Sequence, residues 1–254
     1  MRVLPLQPLL NMKEKYNKKH PLRVVTLCSG YDSQCMALDR MKKYDPKFCY
    51  DLVAWSEIDK NAIKVHNLVY PQYAERNLGD MTKIDWSKAP DFDFLTYSTP
   101  CQDFSNAGLQ LGGQEGSGTR SSILWFTRNA IIEKKPKYMM LENVKALVSK
   151  KFKPLFLKWC AELESYSYVN FWQVLNAKDY GVPQNRERVF LISIRKDVLG
   201  DDTYIFPKPI PLEKRIKDIL EPEVDDSFYL SEKALSYFQE VNDDPTHCHN
   251  FKPK

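Results

Sequence analysis

Cys101 follows Thr99 and Pro100 and precedes Gln102, where the apolar, aromatic run Asp93 to Ser98 gives way to a loop holding Gly108, Gly112, Gly113, Gly116 and Gly118. Five of the chain's nine glycines fall in that loop. A thiol with a rigid proline before it and a glycine-rich loop after it, at the carboxyl edge of a strand, is placed for nucleophilic chemistry. Free cysteines are more often small buried hydrophobes, and on Cys101 alone both readings stand. Glu142 ends another apolar run in Leu141-Glu142-Asn143-Val144. Partial desolvation there would raise its pKa toward the general-acid range; an N-cap or a solvated strand end is the plainer role. Arg186 and Arg188 alternate just before a further strand, so both side chains share a face. Two guanidinium groups so placed suit a phosphate, or a clamp on a base and a thiolate, or two surface salt bridges.

A second group has the spacing of a nucleoside site. Cys28-Ser29-Gly30 turns between a strand and a helix, and its amides and helix dipole favour an anionic group. Glu57, at the end of the next strand, stands where an acid binds ribose hydroxyls. Asp80, at another strand end, is a candidate for an adenine amino group. Asp32 and Ser33 occupy the later positions of what would be a GxGxxG turn, which disfavours a pyrophosphate and a dinucleotide dehydrogenase. An adenosine cofactor without phosphates fits better.

These groups need a scaffold that brings strand ends together. Leu22 to Leu27, Tyr50 to Trp55, Asp93 to Ser98 and Lys137 to Leu141 read as strands, alternating with helices over Ser33 to Lys43, Lys60 to Val69 and Ser121 to Lys134. A helix over about Pro154 to Ser165 follows, then two strands, Asn170 to Leu175 and Val189 to Ile194, whose link is too short for a crossover helix. The pattern predicts a Rossmann-like, doubly wound, mostly parallel α/β sheet with an antiparallel edge strand. Residues 1–21 read as an N-terminal extension with a short helix near Met12 to Lys18, and 22–196 as the catalytic and cofactor-binding domain. Residues 197–254 read as a proline-marked linker and the start of a small domain, with helices over Leu212 to Leu220 and Ser231 to Glu240.

Composition narrows the classes. A 43% hydrophobic, 28% charged chain is ordinary for a globular protein, and no apolar run reaches membrane-spanning length. Six scattered cysteines without a CxxC pair suit reduced thiols in a cytoplasm and argue against a zinc site; His247-Cys248-His249 reads as a polar tail, and no metal is expected. A net charge of +4 permits a nucleic-acid partner without demanding one. The run Lys150-Lys151-Phe152-Lys153 reads as a solvated face.

Together, STPCQDFSNAG, LENV and AKDYGVPQNRERVF resemble the cytosine-5 DNA methyltransferase family, in that family's order and rough spacing over about Val24 to Arg195. The resemblance implies a chain that binds S-adenosylmethionine, leaves S-adenosylhomocysteine, and methylates carbon 5 of a cytosine flipped out of duplex DNA. By position, Cys101 would be the nucleophile, Glu142 the group that engages and protonates N3, and Arg186 and Arg188 the paired arginines near base and thiolate. Cys28, Gly30, Glu57, Ile58, Asp80, Met81, Pro100 and Ile123 would line the cofactor site. Gln102 and Ser105 would lie in the loop that closes on DNA, with Asn143 supporting the base pocket. The chemistry asks for these types. Thiolate addition at carbon 6 makes carbon 5 an enamine nucleophile, and elimination after methyl transfer restores the ring.

The chain departs from the family's pattern at Cys28, Asp32 and Ser33, where an aromatic residue and a run of glycines are usual. No target-recognition region or closing helix is recognisable before Lys254, so a cut-short chain, or one completed by a second polypeptide carrying recognition, is expected. A bacterial or phage restriction-modification or defence context follows, with cytoplasmic, nucleoid-associated action and no membrane partner. The alternatives are a non-catalytic S-adenosylmethionine- or DNA-binding subunit, and the same chemistry on transfer RNA.

Overall fold

Six strands form one sheet in the order β2-β1-β3-β4-β6-β5: β1 Leu22–Leu27, β2 Tyr50–Ser56, β3 Phe94–Tyr97, β4 Tyr138–Val144, β5 Tyr168–Asn176 and β6 Glu187–Arg195. The computed structural model describes residues 15–100 and 113–243; Cys101, Gln102 and Ser105 lie outside them. β1, β2, β3 and β4 run parallel, and β6 is antiparallel to both β4 and β5. The reversed strand therefore sits one place in from the edge rather than at it. The short β5–β6 link forces β6 back alongside β5, and the free slot beside β4 takes it.

The central strands are apolar because both faces are covered. Along β1, Val24 and Val25 are fully buried on opposite faces, each in its own core cluster. Each such side chain contributes roughly 1.5–3 kcal/mol by leaving water. Helices α1 (Ser33–Met41), α2 (Lys60–Val69), α3 (Thr127–Lys134) and α4 (Lys153–Ser165) pack the faces, followed by a short α5 (Lys196–Leu199). α2 starts where the Asp59 carboxylate accepts from the amides of Asn61 and Ala62, and stops before Pro71. The parallel register aligns Leu27, Tyr97 and Leu141 across β1, β3 and β4; β1 and β3 end at that level, and β4 runs on to Val144.

Three helical expectations change. Ser121 to Lys134 divides into a 3-10 segment, Arg120–Phe126, and α3. The Met12 to Lys18 helix falls partly outside the described residues. From Lys15 on the chain turns instead, because the Asn17 side chain accepts from the amides of Lys19 and His20. Leu212 to Leu220 keeps only one turn, Ile216–Asp218. Its Ile216, Ile219 and Leu220 are exposed, and a segment this short with no buried face does not offset the cost of helix nucleation.

Residues 1–213 and 214–254 form two compact units. The described part of the second consists of the turns Ile216–Asp218 and Asp226–Phe228 and the helix α6, Glu232–Asp243. No helix among the described residues is long and apolar enough to cross a membrane.

Candidate active site

The carboxyl ends of β1 and β2 carry one set of groups. After β1 the chain turns through Cys28, Gly30 and Asp32, all with positive φ (52°, 58° and 67°). The loop is pinned to β2: Ser29 N–H donates to the Ser56 carbonyl at 3.2 Å, and Gly30 N–H to Glu57 Oε2 at 2.9 Å. Glu57 Oε1 accepts from the amides of Ile58 and Asp59 at 2.8 and 2.9 Å. A carboxylate offers about four acceptor positions, so one on Oε2 stays open to a hydroxyl.

Asp80 is brought to the same place by Asn77. The Asn77 side chain accepts from the amides of Glu57 and Gly79 and donates to the Glu57 carbonyl, while Ser56 Oγ donates to the Gly79 carbonyl at 2.6 Å. Asp80 Oδ1 is occupied by the hydroxyl and amide of Thr82, which hold this carboxyl below its ordinary value. Cys28 lies between the two acids, with Sγ 3.5 Å from Met81 Sδ. Burial, reinforced by the charges of Glu57 and Asp80, pushes its thiol up to about 12. That thiol stays protonated at neutral pH and is no nucleophile.

The fit to an adenosine-bearing cofactor rests on three features here. Among the described residues Ser29 Oγ is buried with no partner, Ile58 stands 68% exposed beside Glu57, and Glu57 Oε2 keeps an open acceptor position while Asp80 Oδ2 faces only Lys83 Nζ at 3.6 Å. An apolar face for a purine and polar groups for ribose and amine are the donor set such a molecule needs.

The second set lies across β3 on β4 and β6. Glu142 opposes Phe190, and Arg188 lies two residues before Phe190, so acid and arginine form a diagonal cross-strand pair on one face. Arg188 Nε sits 3.0 Å from Glu142 Oε1, with the two side chains 22% and 25% exposed. Burial raises the Glu142 carboxyl above its ordinary 4.5, and the charges of Arg188 and then Arg186 only partly oppose it. Glu187 points to the other face and pairs with Lys145 at 2.9 Å.

Between the two sets, the described chain ends at Pro100. The Pro100 carbonyl accepts from Ser121 Oγ at 2.8 Å and the Thr99 carbonyl from Asn143 Nδ2 at 3.1 Å. Asn143 is 2% exposed, and its amide ties β4 to the residues just before Cys101. Ile123 is half-buried against the core. The structure thus gathers Cys28, Gly30, Glu57, Ile58, Asp80 and Met81 on one side and Glu142, Arg186 and Arg188 on the other. Asn77 and Thr99 were missed by sequence reasoning; an asparagine just before Leu78-Gly79-Asp80 was the one available hint. A hollow of about 560 Å³ lined by Ile131, Tyr166 and Arg195 opens at the opposite edge of the sheet and holds none of these groups. Among the described residues no cluster of His, Cys, Asp and Glu could hold a metal ion.

The family model for C-5 cytosine-specific DNA methylase matches residues 22–252. This chain belongs to that family. The match extends past the Val24 to Arg195 stretch in which the motifs lie. Among curated methylases, the chain is 47% identical over 173 residues to the Type II methyltransferase M2.ScrFI of Lactococcus lactis subsp. cremoris, covering 68% of this chain and 47% of that protein. It is 33% identical over 254 residues to the orphan methyltransferase M.Rho11sI of Bacillus phage rho11s, covering 88% of this chain and 48% of the relative. The chain thus spans about half the length of these methylases. Among solved structures, Entamoeba histolytica methyltransferase EhMeth aligns with a TM-score of 0.67 at 18% identity, over 87% of this chain and 66% of that one. S. pombe Dnmt2 methyltransferase aligns with a TM-score of 0.62 at 22% identity and the same coverage. These two likenesses speak to the methylase fold alone.

Proposed function

We propose that this chain carries the catalytic and cofactor-binding part of a DNA (cytosine-5)-methyltransferase, working in the cytoplasm of a bacterium in a restriction-modification or phage context. In this reading residues 22–196 hold both sites, and 197–254 form a linker and the start of a small domain. Duplex DNA is the substrate, and a second chain carrying target recognition is a further partner. The observation that carries the reading is the Glu142–Arg188 pair. A carboxyl raised by burial, fixed by a guanidinium at 3.0 Å, sits on the strand whose Asn143 holds Thr99, two residues before Cys101.

Gly30, Glu57, Ile58, Asp80 and Met81, with Cys28, Pro100 and Ile123, would hold S-adenosylmethionine, which when bound supplies a methyl group on a positively charged sulfur. The chain's own residues do the rest. Cys101 Sγ, as thiolate, adds to carbon 6 of the cytosine, and the electron pair moves to carbon 5 and toward N3. Glu142 donates its proton at N3, where that charge would otherwise build. Arg188 holds the carboxyl in place, and Arg186 adds positive charge at the same end of β6. After methyl transfer the carbon 5 proton passes to water, N3 returns its proton to the Glu142 carboxylate, and the bond to Sγ breaks with its electron pair leaving on the thiolate, which restores the ring. A stacked base cannot reach either group, so it must leave the helix, at a cost of a few kcal/mol; Gln102 and Ser105 are assigned to the loop that closes around it.

The test is Cys101→Ser. Transfer of labelled methyl to duplex DNA should fall at least about a thousandfold, with S-adenosylhomocysteine affinity unchanged within a few-fold. Undiminished turnover would remove Cys101 from the mechanism.

A further inference from the structure

Three of the five residues in the turn after β1 have positive φ, and two of them, Cys28 and Asp32, are not glycine. L-residues enter that region only where neighbouring structure over-determines them. Asp32 is the more constrained. It is 0% exposed. Oδ2 accepts from Thr26 Oγ1 at 2.9 Å, and Oδ1 from the Cys35 amide at 3.4 Å, capping α1. The same Oδ2 lies 3.6 Å from His66 Nε2, just beyond hydrogen-bond distance.

His66 is likewise 0% exposed. Its ring lies on the Trp55 indole, centroids 3.7 Å apart and planes 20° from parallel. Nδ1 faces Asn67 Oδ1 at 3.2 Å. The Trp55 indole N–H donates to the Tyr73 carbonyl at 2.8 Å, so the stack is fixed from both sides. His66 belongs to α2, the helix that begins just after Glu57 and Ile58, whereas Asp32 ends the loop that carries Gly30. Among the described residues Nε2 is buried with no hydrogen-bond partner, and the Asp32 carboxylate faces it at 3.6 Å. A polar atom in that position is costly unless the facing carboxylate compensates it.

We propose that Asp32 and His66 are a positioning pair that locks the two walls of the cofactor cradle together, the Cys28–Asp32 turn on one side and the Glu57–Ile58 strand end on the other. The inference rests on the cofactor reading of that cradle. Glycine would give the turn its φ without strain; aspartate at position 32 adds a charge for His66 and Thr26 to hold. Neither residue touches the reacting atoms. The pair acts through Gly30 N–H and Glu57, whose mutual 2.9 Å bond depends on the spacing of the two walls.

The experiment is calorimetric titration of S-adenosylhomocysteine into the full chain, wild type against Asp32→Gly, His66→Phe and the double variant, each checked for folding by circular dichroism. Asp32→Gly keeps the turn geometry, and His66→Phe keeps the stack on Trp55 and most of the volume. Each single change should weaken binding about tenfold, because each breaks the Asp32–His66 contact, and the double change no more than either alone. In turnover, KM for S-adenosylmethionine should rise while kcat and KM for DNA hold. Asp32→Gly binding within twofold of wild type would overturn the pair, as would additive losses in the double variant. Should Asp32→Gly fail to fold, His66→Phe decides by the same twofold limit. A wild-type chain that does not bind S-adenosylhomocysteine overturns the cofactor reading itself, and this inference with it.

Discussion

The two ends of the sheet's carboxyl edge treat their carboxylates in opposite ways. On the side proposed for the cofactor, acids are surrounded by donors. Asp80 accepts from Thr82 twice and is held below its ordinary value, and Glu57 accepts from three backbone amides. On the side proposed for the base, Glu142 is ion-paired with Arg188, has the charge of Arg186 nearby, and is raised by burial. The parallel half offers this because strand, turn and helix leave unpaired amides at each strand end. The antiparallel insertion of β6 does not: its ladder uses the amides, and side chains meet diagonally instead. One half thus favours ionised acceptors for polar groups, and the other favours a protonated carboxyl, as the proposed reading requires.

That contrast predicts separable losses. Glu142→Gln should cost the most, lowering kcat by about a hundred- to a thousandfold while leaving S-adenosylhomocysteine affinity intact; single-turnover methylation measures it, and an equal loss of cofactor affinity would merge the two halves. Glu57→Ala should do the reverse, weakening the cofactor about ten- to a hundredfold by titration with DNA affinity unchanged. An unaltered isotherm would move the cofactor elsewhere. The smallest effect is on stability. Because the Glu142 carboxyl is raised in the folded chain above 4.5, its contribution is complete below that pH and is lost as pH rises through the raised value. Glu142→Gln removes that charge, so its melting temperature should exceed wild type near about pH 8 and match it near about pH 4. A constant offset at both would mean that packing, not charge, decides.

Much of this edge was legible because strand-end motifs are local. Leu141-Glu142-Asn143-Val144 and Gln184-Asn185-Arg186-Glu187-Arg188 carry their own periodicity, and period two alone puts both arginines on one face. What escaped was tertiary. Asp32 looked like a defect in a glycine turn, since its partner His66 belongs to the next helix and no spacing rule links them. Asn77 forms no motif, yet it places Asp80. Asn143 read as support for a base pocket; that its amide donates to the Thr99 carbonyl is a contact only strand order reveals. Leu212 to Leu220 shows the converse error, helical spacing without a surface to bury it.

The central claim is a covalent bond from Cys101 to a flipped cytosine, with Glu142 at N3. Incubating the chain with duplex DNA carrying 5-fluorocytosine and S-adenosylmethionine, with and without a recognition partner, tests it most directly, because fluorine at carbon 5 blocks the final elimination. A denaturation-resistant protein–DNA adduct should form, require the cofactor, and vanish in Cys101→Ser. No adduct under conditions where DNA and cofactor both bind, or an adduct that survives in Cys101→Ser, would contradict the account.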